Sequence, residues 1–537
     1  MNKVLFFISF LLLIGCKNTK NSLESKGGDS SVKSFTDFKI EDSKFIDMNS
    51  LFEPFDFELS VFSKAKYEFL KPLIMNNDIP TLQKNISKGI LSYKDLTIFY
   101  LYRIKNYDRM NEKSLNSVIS LNPEIIEQAI EKDKNRPKDL SNYSIYGMPI
   151  LLKDNINSKG LITTAGAVAL MDNITDDSFL VAQLKASGAL ILGKTNLSEW
   201  AYFFCGNCPS GYSAVGGQTF NPYGRKTIDT GGSSSGSAVA VTANFCAAAV
   251  GSETSGSILS PSSQNACVGL KPTIGAVSRC GIVPISSTLD TAGPITRYVI
   301  DNILLFNSMI GKDNYDSKSK TISKINIMNL SKGSIIGKRV GVVKEFLNDS
   351  VYDSAVQLLK REGAVIITVE PKEVDLPNFL KLLNLDMKVD LPNYLKLYAN
   401  NKLPFDSVKS IVDFNKNDSL NRAPYGQKLF EGIIADETTD FQSKKIKSKL
   451  KTNGRAFFDS LINNNQLDVF LSINNYHAGY AAVAEYPALT VPMGLSINGE
   501  PRGLTFISKS FKENDLYFFG YNFENFFKKR PVPKNYN

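Results

Sequence analysis

The chain reads as one large α/β/α sandwich built around a mixed, mostly parallel β-sheet. Two stretches carry that reading. Over 147–195 the apolar runs GMPILLKD and GALILGKT flank the helical segment VAQLKASG. Over 338–371 the same order returns as KRVGVVKEF, VYDSAVQLLKREG and AVIITVEP. Strands that are apolar throughout, rather than alternating, are buried on both faces. Strand, helix, strand repeated in this way calls for helices on each side of the sheet.

The remaining elements follow in chain order. Residues 57–135 carry helical spacing, with apolar residues three to four apart in FELSVFSKAKYEFLKPLIM, TLQKNISKGI and LTIFYLYRIKNYDRM. The alanine-rich run Ala238–Val250 follows GGSSSGS and reads as a helix capped at its N-terminus by serine. From about 372 to 465 the pattern turns charged, aromatic-rich and helical. Within it VDLPNFLKL (374–382) recurs as VDLPNYLKL (389–397). Two copies do not make a solenoid, and they read as similar turns opening two helices. TVPMG and RGLTFIS then return to strands, and NDLYFFGYNFENFF closes with a helix.

Composition narrows the function. The 537 residues are 43% hydrophobic and 21% charged, ordinary values for a globular protein. The net charge of +9 comes from dispersed lysines interleaved with acids. No basic block stands out, so nucleic acid is not an expected partner.

The N-terminus is distinctive. A basic start, Met1-Asn2-Lys3, precedes the run Val4–Gly15, which only Ser9 interrupts, and then Cys16. About 20 apolar residues are needed to span a bilayer, so this run fits a cleaved signal peptide instead. Leu13-Ile14-Gly15-Cys16 resembles a bacterial lipobox. The expected organisation is therefore a signal peptide over 1–15, a lipidated Cys16 with a flexible tether over 16–55, and a catalytic domain over 56–530. The tether reading rests on the Ser-, Lys-, Asn- and Gly-rich stretch Lys17–Ser43. Its expected setting is the cell envelope, with the membrane reached through the lipid.

Three segments contain residues suited to hydrolysis: Lys153 in GMPILLKDN, Ser233 in TGGSSSGSAVAV and Ser257 in GSETSGSILSP. A hydrolase needs a nucleophile, an acceptor for its proton and donors for the oxyanion. The only histidine, His477, lies in no catalytic motif, so Ser-His-Asp chemistry has little support. Lysine must be neutral to act as a base, and burial at the end of the apolar run Pro149–Leu152 would lower its pKa. Strand alternation sends the adjoining Asp154 to the other side. Lys271 in GLKPT is the rival lysine. Thr254, Ser255 and Gly256 form a turn whose N–H groups suit an oxyanion hole, glycine permitting the required φ. The pair Cys205 and Cys208 is a CxxC that alone reads as a metal or redox site. No second pair or histidine cluster accompanies it, so no metal site is expected, and a small disulfide loop is the alternative.

Together these segments resemble the amidase signature family, whose members use a Ser–Ser–Lys triad. The resemblance covers roughly residues 65–525. LILGKTNLSEWA (190–201), GGQTFNPYG (216–224), VGLKPTIG (268–275), LDTAGPITR (289–297) and AEYPALTVPMG (484–494) also match family blocks in family order. The resemblance implies the amidase signature fold as one large domain, with Ser257 as nucleophile, Ser233 as the bridging relay and Lys153 as base. It also implies a cis Gly232–Ser233 peptide, no metal or organic cofactor, and variable substrate-shaping helices over about 372–465. Most members read GGSSGGS and GSDTGGSIR. This chain reads GGSSSGS and GSETSGSIL, with Glu253 in place of the aspartate, and so is similar to the bacterial peptide amidase branch.

The expected activity is hydrolysis of small-molecule or peptide carboxamides to acid and ammonia through an acyl-serine. Two alternatives stand beside it. One is the ammonia-releasing subunit of a glutamine-dependent amidotransferase, disfavoured by the N-terminal segment and the serine-rich variants. The other is an inactive surface-binding lipoprotein on an amidase scaffold, disfavoured because Lys153, Ser233 and Ser257 are all present.

Overall fold

The computed structural model describes residues 34–537 apart from 331 and 529. Eleven strands form its main sheet. They are β1 (Val118–Leu121), β2 (Pro149–Lys153), β3 (Leu190–Thr195), β4 (Ala248–Glu253), β5 (Val268–Lys271) and β6 (Thr291–Thr296). After these come β7 (Arg339–Val343), β8 (Val365–Val369), β9 (Val469–Ile473), β10 (Ala488–Leu495) and β11 (Pro501–Ile507). Their spatial order is β1-β3-β2-β4-β6-β5-β10-β11-β9-β7-β8, with helices on both sides.

The sheet is mixed as expected, but it is not mostly parallel. Among the described residues β2 pairs in parallel with β3 and β4, and β7 with β8 and β9. The other six ladders are antiparallel. Apolar runs report burial on both faces and carry no information about strand direction. The short link Ser496–Glu500 between β10 and β11 makes an antiparallel hairpin, the shape a tight connection allows. The edge strand β1, inside the region read as helical, is an element the helical spacing does not disclose.

The parallel trio positions the functional residues. β2, β3 and β4 run side by side and end at Lys153, Thr195 and Glu253, so their C-terminal ends and following loops share one edge of the sheet. The alanine-rich run does not stay helical. It splits into α1 (Ser235–Thr242) and β4, with Asn244 in the left-handed region at φ 57° between them. Ser234 precedes α1 without a side-chain cap, because its Oγ donates to the Ser252 carbonyl at 3.0 Å.

The helical region after 372 is present, although its repeat is used differently from expectation. The first copy enters α2 (Phe379–Leu397) through Asn378 at φ 62°. The second copy lies inside that same helix, Pro392 included. With helices at 408–416, 428–435 and 440–464, α2 builds a second apolar cluster around Trp200, Phe203, Phe204 and Phe430.

Both ends of the described chain depart from the expected boundaries. Residues 34–55 are not a free tether: Phe35, Phe52 and Phe55 are buried in the main core. Glu41 and Val215 carbonyls accept from Gln218 N–H and Ser43 Oγ, tying this segment to the body. Nor does the domain stop at 530, since the buried Tyr536 accepts at its carbonyl from Arg103. Composition marks this stretch as polar, but three phenylalanines supply enough apolar surface to dock it. The expected signal peptide and Cys16 lie outside the described residues.

Candidate active site

β2 ends in Lys153 after Ile150, Leu151 and Leu152, all fully buried. Lys153 is itself 0% exposed, and its Nζ lies 2.8 Å from Ser233 Oγ and 3.1 Å from the Ser252 carbonyl. Burial pushes this amine down to about 7, against the opposing pull of Asp290 and Glu253. Asp154 turns to the other side as alternation requires. It pairs with Lys194 at 3.0 Å and accepts from the Thr164 N–H at 3.0 Å.

The Gly/Ser run is packed rather than loose. The Gly232–Ser233 peptide is cis. The Ser233 carbonyl accepts from the Ser198 N–H at 3.1 Å, and the Ser234 N–H donates to the Ser257 carbonyl at 3.1 Å. These bonds fasten the loop of Ser233 to the loop of Ser257.

That second loop follows β4 and is organised by Glu253. Its Oε1 accepts from the Gly256 N–H at 2.7 Å, and its Oε2 from Ile258 and Leu259 at 2.7 and 3.0 Å. Gly256 sits at φ +91°, a conformation that favours glycine. The bond to Glu253 removes Gly256 from the expected trio of oxyanion donors. Thr254, Ser255 and Ser257 retain N–H groups without a partner among the described residues. Ser257 is 8% exposed whereas Ser233 is 0% exposed, so Ser257 is the hydroxyl a ligand reaches first.

The other candidates fall elsewhere. Lys271 Nζ donates to the Pro272 carbonyl at 3.0 Å and, among the described residues, bonds to neither serine. Burial pushes it down to about 8. His477 is packed against Phe346, Phe457 and Phe470 with Nδ1 2.7 Å from Ser472 Oγ, and burial lowers its pKa to about 4. Cys205 and Cys208 are joined as a disulfide with Cα atoms 6.1 Å apart.

A pocket of about 250 Å³ opens beside the Lys153–Ser252 contact. Ser252 and Thr254 form its inner wall, while Asp390, Asn393, Tyr394 and Tyr398 from the region after 372 form another. Asn155 and Asp290 also line it. They stand in the distant segments KDN and LDTAGPITR, and only the fold brings them to one cavity. Asp290 accepts from Thr254 Oγ1 at 2.5 Å and from the Ile285 and Ser286 N–H groups at 2.8 Å.

A buried lysine whose amine burial lowers to about 7, bonded to one serine and close to a second, more accessible one, is an arrangement chemically able to support hydrolysis. The family model for amidases matches residues 95–424, and the chain belongs to the amidase family. It is an amidase. A probable amidase of Arabidopsis thaliana is 36% identical over 83% of this chain and 88% of its own length. The crystal structure of an amidase family protein from Bacillus anthracis superposes with a TM-score of 0.86 at 36% identity, covering 92% of this chain and all of that one. The peptide amidase of Stenotrophomonas maltophilia superposes with a TM-score of 0.79 at 36% identity, covering 86% and 98%.

Proposed function

We propose that this amidase cleaves unsubstituted carboxamides, C-terminally amidated peptides among them, through an acyl-Ser257 intermediate. The observation that carries the reading is the 2.8 Å contact between Ser233 Oγ and a Lys153 amine that burial lowers to about 7. A neutral amine in that position accepts a proton, which a solvated lysine titrating near 10.4 does not do at neutral pH. Ser257 Oγ attacks the amide carbon while its proton passes to Ser233 Oγ and the Ser233 proton passes to Lys153 Nζ. Free N–H groups of the Thr254–Ser257 turn face the resulting oxyanion, each such donor contributing about 2.7–4 kcal/mol. Collapse breaks the C–N bond, and the proton returns through Ser233 to the departing nitrogen, releasing ammonia. Water then repeats the sequence on the ester and frees the acid.

The preference for primary amides is supported by enclosure and by the peptide amidase relative. A 250 Å³ pocket walled by α2 admits a chain end more readily than the middle of a folded chain. Incubation with a peptide amide should raise its mass by about one unit, NH₂ being replaced by OH. Internal fragments, or reaction with esters alone, would refute the assignment. The proposal includes attachment to a bacterial envelope through a lipid on Cys16, motivated by the sequence Leu13-Ile14-Gly15-Cys16.

A further inference from the structure

The charged lining of the pocket beside Ser252 and Thr254 is mostly acidic. Three carboxylates line it, Asp290, Asp316 and Asp390, with Arg279 as the single lining cation. Arg279 is committed: Nη2 and Nε lie 2.5 and 2.8 Å from the two Asp316 oxygens, and Nη1 donates to the Ser287 carbonyl. Three negative charges against one positive leave the lining at −2. Asp390 accepts from the Ser287 N–H at 2.6 Å and is in no ion pair among the described residues. Among the described residues Asp290 receives neutral donors alone.

A second observation on the same lining points the same way. Asn155 is 2% exposed, and its Nδ2 is fixed by Ser252 Oγ at 2.9 Å and the Val283 carbonyl at 3.3 Å. Those two bonds set the orientation of the amide and leave Oδ1 buried with no donor among the described residues. A buried acceptor without a donor is costly, and a buried carboxylate without a cation more so. The nearby Tyr394 hydroxyl supplies nothing, since it donates to Asn157 Oδ1 at 2.7 Å. What the lining lacks is N–H donors carrying positive charge.

We propose that the amide substrate carries a protonated amine or guanidinium on its acyl part, seated against Asp390 and Asp290, while a substrate N–H donates to Asn155 Oδ1. The inference rests on the reading that this pocket receives the acyl part of an amide. A cation in this place gains charge-assisted hydrogen bonds in partly dry surroundings. A neutral acyl group of equal size forgoes them and leaves the carboxylates unpaired. The same chemistry has two sources, the α-ammonium of an amino acid amide and the side chain of a peptide amide.

Matched amides separate the two. Leucinamide against N-acetyl-leucinamide tests the α-ammonium, and N-acetyl-lysinamide against N-acetyl-norleucinamide tests the side chain. In at least one pair the cationic member should exceed its neutral counterpart in kcat/KM by roughly tenfold or more, the scale of one charge-assisted hydrogen bond. Asp390→Asn should bring that ratio toward one, and Asp390→Glu should keep most of it. Equal kcat/KM within both pairs overturns the proposal while leaving amide hydrolysis intact. If no amide reacts, the hydrolytic reading fails, and calorimetric binding of the same pairs to Ser257→Ala decides the present one. Tighter binding of a cationic member there supports it, and equal or undetectable binding overturns it.

Discussion

Lys153 and Lys194 are both fully buried, yet among the described residues only Lys194 has a contacting carboxylate. Burial lowers the Lys194 amine as well, but Asp154 at 3.0 Å opposes that shift. Lys153 touches a hydroxyl and a carbonyl, so desolvation dominates and its pKa falls to about 7. Below that value the amine is protonated and cannot act as a base. The kcat/KM profile of the free enzyme should therefore rise with pH through an apparent value near 7. A flat profile between pH 6 and 8 would exclude Lys153. Lys153→Ala should lower kcat by about 10²–10⁴ while the protein stays folded by circular dichroism. Ser257→Ala should cost more than Ser233→Ala, because water can stand in for a relay and not for the nucleophile. His477 gives the control: buried and titrating at about 4, it is neutral at pH 7, and His477→Gln should keep the acid limb where it is.

At the scale of elements, one carboxylate shapes the turn that presents Ser257. Glu253 takes three N–H groups, from Gly256, Ile258 and Leu259. Such a cap both opens the short helix at 259–264 and fixes the direction of the remaining N–H groups. Glu253→Ala leaves these buried donors unpaired. It should reduce unfolding free energy by about 2–4 kcal/mol and kcat by tenfold or more, measured by urea denaturation and steady-state rates. Unchanged kcat with lowered stability would confine Glu253 to a structural part. The repeated VDLPN(F/Y)LKL shows how weakly local sequence decides an element. One copy carries Asn378 in the left-handed region before α2, and the other continues the helix through Pro392.

For the whole molecule, the N-terminal segment is part of the folded body from residue 34 onward. Phe35, Phe52 and Phe55 are 7%, 2% and 1% exposed, and burial of each phenylalanine contributes about 1.5–3 kcal/mol. A chain beginning at residue 56 should be less stable than one beginning at 34 by about 4 kcal/mol or more, read from urea midpoints. Equal stability would return the segment to the status of a tether. The lipid anchor is tested separately, by fatty-acid labelling of the wild type and of Cys16→Ser expressed in a bacterium. Label on the first and not the second is expected; a mature protein that still begins at Met1 would rule the anchor out.

The order of amino acids alone discloses the family, the layered α/β architecture, and Lys153, Ser233 and Ser257 as the residues to watch. Each of these is written in local pattern: apolar runs mark buried strands, and small residues in fixed order mark turns that tolerate no bulk. What lies beyond that reach depends on distant segments meeting. Strand direction is hidden because burial looks alike in parallel and antiparallel ladders. Gly256 reads as an oxyanion donor until the fold is seen, because nothing local reveals that Glu253 folds back onto its N–H. Asn155, Asp290 and Asp390 are separated by up to 235 positions in the chain (390 − 155), and only the tertiary fold brings them to the lining of one cavity. Tertiary structure decides these points because hydrogen bonds and desolvation act through space, and the neighbours that set them are not neighbours in sequence.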